Sequence, residues 1–291
     1  MIYAAWGVTE GVGYGHGAYH DVVASLEKRI NGGTKEPGVR FELACAHQEH
    51  GEWALALVEL ERVERLAPGV HETGLIQGMA LATGRHWAAA LAVLDDFLEV
   101  QPRQVLALRA RGRVLREMGR SEAAAKDLKE ALEREVKPTG EQVVEFSDLL
   151  RASGRRLEAL TVLEQGRLRV GDEPSLLEAL LAVGVELEQW EQALAAVDGL
   201  QQVAPRPEPW MMRRAEVLEA AGQQAEARVA WQKLRDHLMT LPSLERGTGQ
   251  LAEFWGRARS ALGEPFAKPV AALPASAASQ TQSIQSVPNL P

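Results

Sequence analysis

From Pro37 to Pro242 the apolar residues fall at helical spacing, and the pattern then repeats itself. Its clearest marker is an alanine, found at Ala56, Ala90, Ala124, Ala159, Ala193 and Ala227, in steps of 34, 34, 35, 34 and 34 residues. Four residues after each marker stands a large apolar side chain: Leu60, Leu94, Leu128, Leu163, Val197 and Trp231. Twelve residues before it stand Ala44, Gly78, Gly112, Ser147, Leu181 and Ala215, small in every copy but the fifth. Each copy therefore reads as two amphipathic helices of roughly 12–15 residues, each about 20 Å long. Small residues let the paired backbones approach, and the large residue one turn beyond the marker fills the space between them.

Turn residues punctuate each copy. Gly51, Gly84, Gly119, Gly154 and Gly222 precede the second helix, and Pro68, Pro102 and Pro205 close it. Trp53, Trp87 and Trp190 recur three residues before the marker, which assigns them to packing between helices. The fifth copy departs from the pattern: Leu181 occupies the small site and no turn glycine follows, which predicts a splayed helix pair. Lys137-Pro138-Thr139-Gly140 carries the one-residue slip in register and predicts a local change of twist.

A period of 34 residues with this small–small–large spacing resembles the tetratricopeptide repeat (TPR) family. Six copies match, with starts near 37, 71, 105, 140, 174 and 208. The resemblance implies an all-α, right-handed α-solenoid of helix-turn-helix pairs. No single pair buries its own apolar face, so stacking six of them makes one continuous core. A helix over 17–33 (Tyr19, Val22, Val23, Leu26 and Ile30 on one face) and another over 243–263 (Leu251, Phe254, Trp255, Ala258, Leu262) are expected to cap the two ends. Glycine-rich residues 1–16 and the Pro/Ser/Gln/Ala-rich residues 264–291 are expected to be disordered.

The net charge of −8 argues against a general affinity for nucleic acid. One cysteine, Cys45, allows no internal disulfide and reads as a packing residue. No apolar run is long enough for a transmembrane helix, and the first residues lack the basic start and apolar core of a signal peptide. A cytoplasmic location is the default expectation, with export open should the true N-terminus differ.

Three candidate sites follow. In TPR proteins the first helices line a concave groove that holds a partner peptide or helix. The register places Arg109, Arg113 and Arg116 there as a stripe suited to carboxylate or phosphate, beside apolar Phe41, Leu75, Met79 and Met212. The stripe is similar in outline to the carboxylate clamp of chaperone-binding TPR domains, but the asparagines of that clamp are missing. The competing reading is an internal Arg–Glu network with Glu141, Asp148, Glu178, Glu216 and Glu219. The second candidate is histidine: His16 and His20 before and in the capping helix, or His47 and His50 on the first repeat, at spacings that can share a metal. The third is catalysis. No GxSxG, phosphate loop, HExxH, paired CxxC or dinucleotide fingerprint is present, so no catalytic residues and no cofactor are assigned.

The sequence thus predicts a non-enzymatic protein–protein interaction scaffold or adaptor, binding an acidic or amphipathic segment of another protein. Alternatives are an exported metal-associated accessory protein using His16 and His20, and a regulatory module of a separate enzyme.

Overall fold

A computed structural model describes residues 16–69, 73–242 and 249–264. The expectations for 1–15, for 243–248 and for 265–291 fall outside them. Among the described residues all regular structure is helical. The fourteen helices are α1 (His16–Asn31), α2 (Pro37–Glu49), α3 (Trp53–Leu66), α4 (Thr73–Thr83), α5 (Trp87–Val100), α6 (Val105–Glu117), α7 (Ser121–Arg134), α8 (Gly140–Ala152), α9 (Arg156–Val170), α10 (Pro174–Glu186), α11 (Trp190–Val203), α12 (Glu208–Ala220), α13 (Gln224–Thr240) and α14 (Gly249–Leu262). The chain divides into two compact units, with the boundary between Ala196 and Val197 inside α11.

Local chemistry starts the helices where the sequence places them. Pro37 and Pro174 open α2 and α10 at positions whose N–H would have no helical partner. The Gln104 side chain caps α6 by accepting from the Ala107 amide at 2.6 Å. Thr139 and Gln142 form a reciprocal capping box on α8. The Glu173 carboxylate, from the next repeat, accepts from the Gly140 amide at 2.9 Å. A methyl group at Gly140 would meet that carboxylate oxygen at 2.3 Å, so a larger residue there would require the Glu173 side chain to move.

The six turns between first and second helices share one geometry. The residue five before each marker has positive φ: Gly51 (87°), Arg85 (60°), Gly119 (74°), Gly154 (77°), Glu188 (56°) and Gly222 (73°). The next amide donates back to the carbonyl nine before the marker, from Glu52 to His47 through Gln223 to Leu218, always at 2.8–2.9 Å. That bond closes the first helix in a Schellman motif. In the second repeat the left-handed residue is therefore Arg85 and not the neighbouring Gly84. Gly84 is small for a different reason: a Cβ there would lie 2.7 Å from the Trp53 ring, which packs over the turn.

The small site does what its spacing implies. A Cβ on Gly78 would lie 2.6 Å from Leu94 Cγ, and one on Gly112 would lie 2.9 Å from Leu128 Cγ. Each leucine is the large residue four after its marker, and each fills the hollow that a missing side chain leaves. The fifth pair is not splayed. Leu181 and Gly184 have exchanged sizes relative to Gly112 and Leu115, one turn apart on the same face. A Cβ on Gly184 would lie 3.1 Å from the Ala193 backbone nitrogen and 3.2 Å from its Cβ, so α10 and α11 touch there instead.

In unit 1, helix α1 covers the start of the stack through Leu26, which packs with Val39 and Leu43 and is flanked by Val22, Val23 and Ile30. In unit 1 neighbouring first helices also pack side by side, α2 on α4, α4 on α6 and α8 on α10, while its second helices approach one another less closely. The first helices are thus the tighter layer. In unit 2, α12, α13 and α14 pack on one another. Trp231 is buried there, with its indole N–H donating to Glu219 at 2.8 Å. Leu251, Phe254, Ala258 and Leu262 bury one side of α14.

Two outcomes test this packing. Arg85→Gly and Glu188→Gly each relieve a left-handed L-residue, and after the entropy that glycine adds to the unfolded chain each should stabilise by about 0.5–1 kcal/mol. Gly119→Ala should destabilise by about 1 kcal/mol, because the same φ then carries a Cβ. Denaturant titrations of the single variants read both signs, and a loss of stability in Arg85→Gly would contradict the assignment. Gly184→Leu should cost about 1–3 kcal/mol or more through overpacking against the Ala193 backbone.

Candidate functional site

The residues that recur on the first helices are buried, so any binding surface of unit 1 must come from those that differ between copies. Two adjacent rows meet that condition. One runs Cys45, Met79, Arg113, Asp148 and Ala182; the other runs Gln48, Ala82, Arg116, Arg151 and Val185. Cys45 is buried, while Arg113, Arg116, Asp148 and Ala182 are exposed and the rest are half-buried. The rows begin with neutral or apolar side chains, become charged at α6 and α8, and end neutral on α10.

The row one turn earlier is largely core. Leu75 is 0% exposed, and Phe41 and Arg109 are each 9% exposed. Phe41 packs with Ala44, Leu60 and Ile76, and Leu75 packs with Leu94 and Leu108. The expectation that Phe41 and Leu75 face a partner is corrected. Their register points at the adjoining first helix, and the close α2–α4–α6 packing covers it. Met79 is half-buried against the same core, and Met212 is half-buried in unit 2, so it belongs to a separate unit.

The arginine stripe is engaged by the chain itself. Arg113 reaches Glu145 of α8 with two bonds, Nε to Oε1 at 2.6 Å and a terminal nitrogen to Oε2 at 2.8 Å. Arg116 approaches the same carboxylate at 3.5 Å and pairs with Glu117 at 3.2 Å. The hydrogen bonds to Glu145 hold the Arg113 guanidinium above its ordinary range, against the opposing effect of burial. Arg109 lies beneath, where burial and then the nearby Arg113 charge lower its pKa. It contributes to the wall of a shallow cleft between α6, α7 and α8, with Leu128, Leu132, Glu135 and Glu145.

This cleft sits at the slipped register, where α6 and α8 do not pack as the other neighbouring first helices do. Polar bridges span the junction. Besides Glu145, Arg169 of α9 donates to the Leu132 and Glu135 carbonyls at the end of α7, at 3.0 and 2.7 Å. Arg155 pairs with Glu122 at 3.4 Å. One repeat further, Arg151 bonds Asp148 and Glu186, each at 3.2 Å, and Arg156 also pairs with Glu186. Asp148 is thus part of the internal network that the sequence offered as the competing reading, while the residue that takes both arginines is Glu145, which sequence reasoning did not single out.

The histidines occupy the joint between α1 and the first repeat. Tyr19 stacks on His50, with ring centroids 3.7 Å apart and an interplanar angle of 3°. Its hydroxyl lies 2.9 Å from His47 Nδ1. His47 and His50 therefore engage one tyrosine and do not converge on a shared point, which corrects the metal-pair expectation for them. His20 is exposed, 5.2 Å from the Tyr19 ring; the His16 side chain is outside the described residues. No group of three or more His, Cys, Asp or Glu side chains suited to a metal occurs among the described residues. Burial, reinforced by Glu49 and Glu42, pushes the Cys45 thiol up to about 12, so it is no ready nucleophile. No helix among the described residues is long and apolar enough to cross a membrane.

No protein-family model and no curated protein sequence matches the chain. Solved structures do. PilF of Pseudomonas aeruginosa is 15% identical, with a TM-score of 0.52 over 76% of this chain and 97% of its own. YrrB, described as a TPR protein with an unusual peptide-binding site, is 14% identical, with a TM-score of 0.49 over 61% of this chain and 91% of its own. A tetratricopeptide repeat protein of Parabacteroides merdae is 15% identical, with a TM-score of 0.47 over 84% of this chain and 87% of its own. The likeness to PilF is one of fold. The PilF likeness, the period of 34 residues and the six turns of one geometry agree on the fold: an all-α solenoid of helix-turn-helix pairs, the fold of tetratricopeptide-repeat proteins.

Proposed function

We propose that the chain is a protein–protein interaction scaffold that holds a segment of a partner protein across the first helices of unit 1. The observation that carries this reading is the division of labour along α4, α6, α8 and α10. Recurring positions are core, and the positions left most accessible are among those that change from copy to copy. A surface free to vary while its support is fixed is what a recognition face requires.

The chemistry of the two rows describes the partner segment. Met79 and Ala82 at one end, and Ala182 and Val185 at the other, offer apolar contact. Between them lie Arg113, Arg116, Asp148 and Arg151, already balanced by Glu145, Glu117 and Glu186. A self-neutralised centre favours a partner that carries both signs of charge over a purely acidic one, because an acidic segment would have to displace Glu145 from two arginines. The segment that fits is amphipathic, with mixed charges in the middle and apolar residues on either side. The reading is non-enzymatic: Cys45, at the head of one row, is buried with its thiol pushed up to about 12, and His47 is engaged by Tyr19.

The test separates folding from binding at one ion pair. Arg113→Glu should destabilise by about 1 kcal/mol, because it puts two carboxylates together. Adding Glu145→Arg should restore most of that stability by rebuilding the pair in reverse. The partner is first identified by affinity purification with the full chain and then titrated against the purified variants. The reversed pair should weaken binding at least about tenfold while the fold is intact, since close charge pairs at interfaces couple by more than 1.4 kcal/mol. Binding unchanged in the reversed pair, and unchanged again in Met79→Glu, would contradict the proposal.

A further inference from the structure

The register position nine residues before the marker holds Leu81, Leu115, Leu150, Gly184 and Leu218 in repeats two to six, and His47 in the first. In the first repeat alone, a titratable side chain occupies this packing position. His47 is 5% exposed, and its contact from across the joint is the Tyr19 hydroxyl of α1. Tyr19 is itself 5% exposed, stacked on His50 and next to His20. Three imidazoles thus gather on the one aromatic anchor by which α1 holds the first repeat.

We propose that this joint is a proton-operated latch, in which protonation of His47 loosens the docking of α1 on α2. In the neutral tautomer that carries its proton on Nε2, His47 Nδ1 accepts from the Tyr19 O–H. Protonation places a hydrogen on Nδ1, so the nitrogen can only donate, and the phenol hydrogen loses its acceptor in a buried site.

The charged groups around the imidazole decide the direction. Glu27 on α1, Glu52 in the turn and Glu59 on α3 favour the proton, and His50 on α2 opposes it. Glu59 is already committed to Arg40 at 2.8 Å and to Arg62, so its charge is largely spent. Burial is the largest effect and holds the His47 pKa below its ordinary 6.5. The unfolded or undocked state therefore binds the proton more readily than the docked one. Docking stability is complete above about pH 6.5 and declines as pH falls through the window between that value and the lowered pKa.

Release of α1 uncovers Val39 and Leu43, which it buries, and so exposes the apolar end of unit 1. The latch thereby couples pH to access at the first repeat, independently of the partner face on α4 to α10.

Native-state hydrogen exchange of the full chain tests it, with rates corrected for the intrinsic effect of pH. Between pH 7.5 and 5.5 the protection of α1 should fall relative to that of α8 and α9, by up to about tenfold for one proton taken up only on release. His47→Leu, the residue most other repeats carry, and His47→Gln should each abolish that difference. An unchanged wild-type ratio would overturn the proposal, and so would a pH dependence that survives in either variant. Should both variants fail to fold, an NMR titration of the wild-type His47 ring decides. A midpoint below 6.5, shared by the α1 amides, supports the latch; a midpoint at or above that value, or α1 amides that do not follow it, overturns it.

Discussion

The contact on which the second and third repeats depend is a leucine seated in the space of an absent side chain. Leu94 over Gly78 and Leu128 over Gly112 fix how close the two helices of a pair can come. Close approach fixes the turn, which must reverse the chain within a few residues and so needs a left-handed residue five before every marker. The turn in turn fixes which faces are buried. Where one part of this chain of constraints changes, another compensates. The fifth repeat puts Leu181 in the small site and moves the gap to Gly184, one turn on, so the pair stays tight.

A different constraint operates between repeats three and four. At the extra residue before Gly140, α6 and α8 approach less closely than their neighbours in unit 1, and polar bonds join the apolar cluster of Leu115, Leu128, Phe146 and Leu149 in bridging the two repeats. Glu145 draws in two arginines, Glu173 caps α8 from the following repeat, and Arg169 likewise caps α7 from the repeat that follows it. Each such bond contributes modestly at a partly exposed site, where water competes for the same groups. Glu145, which takes Arg113 and Arg116, also lines the cleft between α6, α7 and α8.

Local signals carried the architecture. The alanine marker, the large residue beyond it and the capping residues act over one to four turns of helix, so spacing alone reveals them. What depended on neighbours far along the chain was harder to read. Arg113 and Glu145 are separated by 32 residues, and nothing in either local sequence pairs them. Phe41 and Leu75 share a register with Glu178, yet the first two are buried and the last is exposed, so register alone does not give burial. Arg85 and Glu188 take the left-handed role without the glycine that usually announces it, since the turn bond enforces φ whatever the side chain. The histidine at the leucine position was visible as an exception to the repeat. Its partner Tyr19 was not, since that contact belongs to the docking of a helix outside the repeats.

The central claim is that recurring positions hold the fold and varying positions on the first helices of unit 1 hold a partner. A saturation scan of α4, α6, α8 and α10, read in parallel for folded abundance and for partner binding, tests it in one measurement. Substitutions at Gly78, Gly112, Ser147 and Gly184 should reduce abundance, with binding lost only in proportion. Substitutions at Met79, Arg116, Asp148 and Ala182 should leave abundance near wild type and reduce binding. Binding losses spread evenly over exposed positions of the second helices, with these four silent, would contradict the account.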